Sequence, residues 1–532
     1  MYADMVLTNG RIATLDKKES VSEAVAAKFG RIVALGSSSE LRSAIGPETK
    51  LIDLKGRTVI PGLIDSHCHM VGSGLNRESV DLSEEAGVRS IQDLRAKIQE
   101  KSQKTTRGEW IIGVKEDDYK LAEKRHPTRW ELDQVAPEHP VLISTVGGHF
   151  SIANSQAFRM AGVTKQTLDP VGGLFERDPV SGELTGGLHE HAVDLVRGFI
   201  KPPSRSQASE SARRILLANA ASGLTCVYDS GMPTTLRAVS DLKSRGELPI
   251  RYRMDYPIAH FPELSSLGIT QGIGDEWLKL GGLKMFFDGA ISARTAAVSE
   301  PYLHRSDWYG IMATTEEEAR KQIMSALEAG YRVSAHANGD KAITLYLDLM
   351  EEAQKKYPQD DMRNRVIHCT VVNPQIISRI KSLEMLPTIF GSYPYYHGDK
   401  LLPAFGERRL ESMFAAASFL NAGVKVAAHS DYSASPFFPL MGIHALVNRR
   451  SRGGKPVGES QKISVVDALR LYTTYAAYQC FDEGILGSIE VGKCADMVVL
   501  GEDILTVPPE TIKDIPVDIT VVGGNIVHKL GN

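Results

Sequence analysis

The sequence contains no apolar run approaching the roughly 20 residues that a bilayer-crossing helix needs, and its start does not join a basic stretch to an apolar one. Neither a membrane partner nor a targeting segment is expected. Five cysteines, Cys68, Cys226, Cys369, Cys480 and Cys494, are scattered, odd in number and free of Cys-x-x-Cys spacing. That pattern excludes a disulfide framework and a thiolate zinc site, and it suits a reducing cytoplasm. Long blocks of one charge are missing as well. A net charge of -4 over 532 residues leaves no electrostatic footprint for nucleic acid or for an anionic membrane. What remains is a small-molecule partner. With 42% apolar and 24% charged residues, disordered and fibrous classes drop out. The length exceeds one ordinary core, so a large domain with additions, or two to three domains, is expected.

Short β-like runs and turn signals alternate over residues 4–60, including Asn9-Gly10 before Arg11-Ile12-Ala13. The far end repeats the style, and Ala495–Val499 echoes Ala3–Leu7. Neither end suffices for a core alone, so residues 1–60 and 483–532 are expected to pair into one small β-sandwich. Across residues 61–482 the pattern changes to eight apolar runs separated by helical stretches. The runs are Val59–His69, Thr225–Tyr228, Arg251–Met254, Leu283–Phe287, Arg332–His336, Arg365–His368, Leu386–Phe390 and Lys425–His429. This βα repetition predicts the α/β class and a (β/α)8 TIM-type barrel, with the active site at the C-terminal ends of the strands. One spacing breaks the repeat: roughly 150 residues separate the first run from the second, too many for a loop, so about 73–201 should be an inserted cap over the barrel mouth.

Polar residues stand where these strands end. The first run closes on His67-Cys68-His69, and period-2 alternation puts both imidazoles on one face. Lys284 lies in the fourth run, His336 and His368 end the fifth and sixth, and Asp431 follows the eighth. Singly, each has an ordinary role: a hydrogen-bonded core histidine, a snorkelling lysine, a helix cap. A barrel brings all six to one rim, and together they point to a metal cluster.

The order His-x-His, Lys, His, His, Asp is similar to that of the amidohydrolase superfamily. Pro61–His69, Gly148-His149-Phe150, Gly182–Gly186, Lys284 with Asp288-Gly289, His336–Asp340 and Gly487–Asp496 resemble its family 3 branch, which includes N-substituted formamide deformylases. The resemblance covers nearly the whole chain. It implies a barrel joined to a β-sandwich, and a metal-dependent hydrolase of non-peptide C–N bonds in an N-acyl, N-formyl or cyclic amide. Carried over, His67, His69 and Asp431 would hold one divalent metal and His336 and His368 another. Lys284 would bridge them as a CO2-derived carbamate, because an ammonium cannot ligate a cation whereas a carboxylated lysine offers two oxygens. Imidazole and carboxylate ligands suit zinc, with manganese, iron or cobalt as alternatives. A metal-bridging hydroxide would attack the carbonyl carbon, with Asp431 as the catalytic group that moves its proton to the leaving nitrogen. A homodimer or higher homo-oligomer is a common accompaniment of the resemblance.

The same centre could serve a lactone, ester or carbamate. A mononuclear deaminase and an inactive metal-binding regulatory protein are further alternatives; against the deaminase, Gly339 stands where His-x-x-Glu spacing needs an acid. Two positions depart from the branch: Ile367 where it has Glu, and His429 where it has Gly. Substrate contacts are expected from His149 and Asn154 in the cap and from His397, Tyr393 and Tyr432 after the seventh and eighth strands. The neighbouring aromatics Tyr395, Tyr396, Phe437 and Phe438 suggest an aryl or bulky apolar substrate group. His189 and His191 could pass for a second metal pair, but as exposed cap residues they are not assigned to one.

Overall fold

The computed structural model describes residues 2–74, 79–303 and 305–531. Eight parallel strands form its centre: β1 (Leu63–Cys68), β2 (Leu224–Ser230), β3 (Arg251–Pro257), β4 (Leu278–Phe286), β5 (Val333–Ala337), β6 (Arg365–His368), β7 (Leu386–Phe390) and β8 (Ala427–His429). They pair side by side in chain order, and each overlaps one of the eight apolar runs. β5, β6 and β7 are buried along their whole length, as expected of strands covered on both faces. Helices follow and pack outside. In Asp340–Lys356, Ile343, Leu347 and Met350 form the buried stripe, and Thr315 and Asn373 cap the helices Glu316–Glu328 and Pro374–Ser382.

No regular ladder joins β1 to β8; specific polar bonds close the ring instead. Ser66 Oγ donates to the Ala428 carbonyl at 2.7 Å, the Asp431 N–H to the His67 carbonyl at 3.1 Å, and the His69 N–H to the Tyr432 carbonyl at 2.8 Å. Asp65 accepts from both the N–H and the hydroxyl of Ser430, at 3.1 and 2.5 Å. The result is a (β/α)8 barrel.

The chain ends share one six-stranded sheet, in which Thr58–Pro61 lies between Arg11–Ala13 and Met497–Leu500. A four-stranded sheet built from residues 5–53 packs against it. Alternation divides this shared sheet between two cores: Val59, Met497 and Val499 face the sandwich, whereas Ile60, Val498 and Leu500 face the barrel. Between β1 and β2 the insertion forms its own mixed six-stranded sheet, from Val80–Asp81 to Leu184–Glu190, with short helices. Among the described residues no helix is long and apolar enough to cross a membrane.

One expectation needs correction. The run Val59–His69 is not a single strand but two, divided at Gly62: Thr58–Pro61 belongs to the sandwich, and β1 starts at Leu63. A Cβ on Gly62 would stand 2.1 Å from Oγ1 of Thr225 on β2, so the chain can change sheets here only without a side chain. Apolar residues on both sides hide the break from a hydropathy pattern. Gly62→Ala should therefore cost about 1–3 kcal/mol, read as a lowered denaturation midpoint, and Thr225→Ala in the same chain, which removes the two nearest atoms but leaves a Cβ at 2.8 Å, should restore part of it. An unchanged midpoint in the single variant would show that the contact is not tight.

Candidate metal centre

β1 delivers His67, and His69 follows one residue past its end, while Cys68 turns the other way and its thiol meets the Tyr228 carbonyl at 3.6 Å. Asp431 sits two residues beyond β8 with a left-handed φ of 51°, its N–H fixed on the His67 carbonyl. That turn aims the carboxylate back at β1. Its Oδ1 lies 3.4 Å from His67 Nε2 and 3.5 Å from His69 Nε2, yet accepts no hydrogen bond. His69 Nδ1 stands 3.3 Å from the Ser230 carbonyl, which can only accept, so the ring proton belongs there and the lone pair on Nε2 faces Asp431.

The same reasoning assigns the second half of the site. His336 Nε2 lies 3.1 Å from the Gly289 carbonyl, and with the ring proton donated there the lone pair on Nδ1 is left free. That Nδ1 is 3.0 Å from His368 Nε2. Lys284, buried on β4, reaches between the two halves with Nζ 3.4 Å from His67 Nε2. Donor atoms of His67, His368 and Asp431 all lie within 4.8 Å of one another. The six residues expected at the rim thus meet at one place.

Burial sets the protonation of this cluster. Desolvation, reinforced by neighbouring positive groups, holds the His67, His336 and His368 pKa values well below normal, and His69 falls to about 3. All four rings are neutral near pH 7. Burial also drives the Lys284 amine down and the Asp431 carboxyl up, each movement partly opposed by the charge of the other. Buried lone pairs and a carboxylate oxygen that no protein donor satisfies are costly. A divalent cation would satisfy them, and neutral imidazoles with carboxylate form a donor set that such an ion accepts.

A supporting layer surrounds these residues. Asp288 accepts the backbone N–H groups of Asn338, Gly339 and Ala297 at 2.9, 2.8 and 2.9 Å, which pins the turn after β5. Asn338 donates to the same Gly289 carbonyl as His336, at 3.1 Å. Above the centre, His149 Nδ1 is 2.6 Å from Glu190, and Thr295 donates to the other oxygen of that carboxylate at 2.7 Å. Burial alone would lower the His149 pKa, but the charge and hydrogen bond of Glu190 outweigh it and raise the value. Successive left-handed glycines, Gly147 and Gly148 with φ of 88° and 74°, form the turn that lowers His149 toward the His336 ring, 4.8 Å away between centroids. Sequence reasoning gave His149 a role but none to Glu190, Asp288 or Asn338. Asp288 and Asn338 stood in segments that carry the family resemblance, and Glu190 stood between the two unassigned histidines His189 and His191. His429 is fully buried between His67, His368 and Phe390, with both ring nitrogens unpartnered, and Ile367 is buried in β6.

The centre opens into a cleft of about 640 Å³ lined by His69, His149, Lys284, Asp431 and Tyr432. A side pocket of about 440 Å³ shares Lys115 and Tyr432 with it and adds Tyr396, His397, Phe437 and Phe438. Two expected substrate contacts lie elsewhere. Asn154 caps the helix Ser155–Ala161 through Ala157 N–H at 3.0 Å, and it also bonds Val141 N–H and the His139 carbonyl at 2.9 Å each, so its hydrogen-bonding capacity is spent. Tyr393 is buried under the pocket, packed at a tilt against Phe390 and His397 with centroids 4.3 and 4.1 Å away. His397 does line the side pocket, held neutral by burial, which lowers its pKa to about 4, and anchored on the Ala434 carbonyl at 2.9 Å. His189 and His191 do not converge on one point: His189 pairs with Glu176 at 3.0 Å and His191 with Asp194 at 3.2 Å.

A sequence profile of the amidohydrolase family matches residues 50–528. Protein LONG AFTER FAR-RED 3 of Arabidopsis thaliana is 31% identical over 99% of this chain and 92% of its own length. N-substituted formamide deformylase of Arthrobacter pascens is 27% identical over 98% of this chain and 97% of its own. Among solved structures, an uncharacterized metal-dependent hydrolase from Pyrococcus horikoshii OT3 superposes with a TM-score of 0.76 at 25% identity, covering 95% of this chain and 99% of that one.

Equilibrated with zinc and desalted, the protein should retain metal measurable by plasma mass spectrometry, and His67→Ala and His368→Ala should each retain less. His397→Ala, outside the donor set, should match the parent. Equal metal in all four preparations would mean that the cluster is a hydrogen-bonded core and not a metal centre.

Proposed function

The chain belongs to the amidohydrolase family, and from that premise we propose that it hydrolyses a non-peptide C–N bond, as in an N-acyl or N-formyl amine, at a binuclear metal centre. The observation that carries the reading is Lys284: an amine buried among neutral imidazoles and one carboxylate, its pKa pushed down by desolvation. Its lowered pKa makes the free amine available to attack carbon dioxide, forming an N–C bond and releasing a proton. As a carbamate it would offer oxygen ligands to metals held by His67, His69 and Asp431 and by His336 and His368. Zinc is the ion that these ligands suit best. Bound there, the metals would acidify a water and polarise the substrate carbonyl.

The remaining work falls to side chains. Asp431, raised above the ordinary carboxylate range by burial, is poised to take the proton of the attacking water and deliver it to the leaving nitrogen. His149, held by Glu190 and favoured in its charged form, offers a donor to the carbonyl oxygen as negative charge develops there. Tyr432 and the aromatic side pocket exclude water and take an aryl or bulky apolar group.

Protein produced with zinc and bicarbonate should hold about two metals per chain, and Lys284→Ala fewer. One metal in both would leave Lys284 without the bridging role. Against a panel of N-formyl and N-acyl amines, esters and lactones, turnover should favour the amides. Asp431→Asn should lower kcat by about 10²–10⁴ while keeping much of the metal; a fully active variant would remove Asp431 from the proton path, and a preference for lactones would replace the amide reading.

A further inference from the structure

The interior of a (β/α)8 barrel is ordinarily filled by layers of branched apolar side chains. The layer below this centre, toward the N-terminal ends of the strands, is polar instead. Arg365, at the start of β6, is fully buried and crosses the barrel: Nη2 donates to the Ser66 carbonyl on β1, and Nη1 meets Asp255 of β3 at 3.4 Å, with neither side chain exposed. Its guanidinium lies over the Tyr228 ring of β2, 4.1 Å from the centroid. Tyr228 donates its hydroxyl proton to Asp255 at 2.7 Å and accepts from Arg332 at 2.5 Å, while Arg332 also donates to the Gln479 carbonyl at 2.7 Å. β4 leaves room for this network. A Cβ on Gly281 would stand 1.8 Å from the Tyr228 hydroxyl, and one on Gly282 2.6 Å from Cγ of Arg332, so the strand passes without side chains just before Lys284.

Stability alone does not call for such a network, because a buried ion pair replaced by apolar side chains of similar volume is often no less stable. Its bonds point to another use. β6 and β1 are not neighbours, since β7 and β8 stand between them around the ring. Arg365 therefore ties two strands that share no ladder, and it does so at the peptide that leads into His67. A peptide unit is planar, so fixing the Ser66 carbonyl also orients the N–H and Cα of His67. Other polar atoms of that segment are held too: Ser66 Oγ by the Ala428 carbonyl at 2.7 Å, and Asp65 by Ser430. Three residues along β6 from Arg365 comes His368, whose donor atom lies within 4.8 Å of that of His67.

We propose that Arg365 is a positioning residue of the metal centre: it holds Ser66, and through it His67, at a set spacing from His368, so that the two halves of the site stay in register. This inference rests on the binuclear reading of the same site. A planar guanidinium presents two donors at a fixed separation, one for Ser66 and one for Asp255; lysine supplies the charge without that fork.

The test measures zinc affinity by competition with a chelator, beside the thermal midpoint of the chelator-treated protein. Removing Arg365 alone would strand the buried Asp255, so the variant compared is Arg365→Met with Asp255→Asn, and Arg365→Lys keeps the charge while losing the fork. Arg449→Met is the control, because that guanidinium is equally buried but donates to the Met413, Phe414 and Gly458 carbonyls. The double variant should bind zinc about 10–100-fold more weakly, Arg365→Lys should fall between it and the parent, and Arg449→Met should match the parent whatever its midpoint. With manganese in place of zinc, paramagnetic resonance should show exchange-coupled ions in the parent and a larger uncoupled share in the double variant. Parent-like affinity in the double variant, or an equal loss in Arg449→Met, would overturn the proposal; if the double variant does not fold, parent-like affinity in Arg365→Lys would do the same. One zinc per parent chain, bound more weakly once Arg365 is replaced, would sustain the positioning of His67 and sink the binuclear reading. No zinc in the parent would overturn both.

Discussion

Everything at the centre depends on how the barrel closes. β1 and β8 meet without a ladder, and the bonds that replace it run through the clustered residues and their neighbours: Asp431 N–H on the His67 carbonyl, His69 N–H on the Tyr432 carbonyl, and Ser430 on Asp65. Closure and site geometry are therefore one constraint. If β8 moved relative to β1, the carboxylate of Asp431 would leave the two imidazoles that it faces at 3.4 and 3.5 Å. The positive φ of Asp431 belongs to the same device, because a residue continuing β8 in extended form would carry its side chain past the rim instead of back across it.

The barrel interior then imposes a charge requirement. Strand ends supply imidazoles that desolvation keeps neutral, and carbonyls of Ser230 and Gly289 turn their lone pairs inward. Such an arrangement repels protons and leaves acceptors unsatisfied, so it favours a cation that the chain itself does not supply. Lys284 is the one exception, and burial lowers its pKa, so that the amine competes less with an incoming cation. His429 fits this picture as a neutral filler between His67 and His368, since burial, with Arg365 nearby, pushes its pKa well down.

Most of this was legible in the sequence because a barrel maps a one-dimensional signal onto a rim. Each strand is an apolar run, each clustered side chain is a polar residue that interrupts, ends or follows it, and eight parallel strands bring those positions together whatever their separation. Less legible were features set by close contact. Gly62 divides what reads as one strand because Thr225 passes within reach of a Cβ, a fact about β2 and not about the run itself. Asn154 reads as a polar cap residue available to substrate, yet its oxygen and nitrogen are consumed locally by Ala157, Val141 and His139. Glu190 sat in a segment noticed for its two histidines; its hydrogen bond to His149 spans 41 residues and two strands of the cap, which no local pattern reports.

The cleft combines parts with unequal freedom to change. Its floor is made of strand ends whose positions the barrel fixes on every side, so a substitution there alters closure, protonation and ligation together. Its walls come from the inserted cap and from the loops after β7 and β8, where Arg197, Lys115, Tyr432 and Phe438 face the cleft or its side pocket from separate segments. A change in one of these walls can alter what is recognised without disturbing the ligands below. Chemistry and selection are therefore separable in this fold: the floor decides that a bond is hydrolysed, and the charge and shape of the cap decide which molecule presents it.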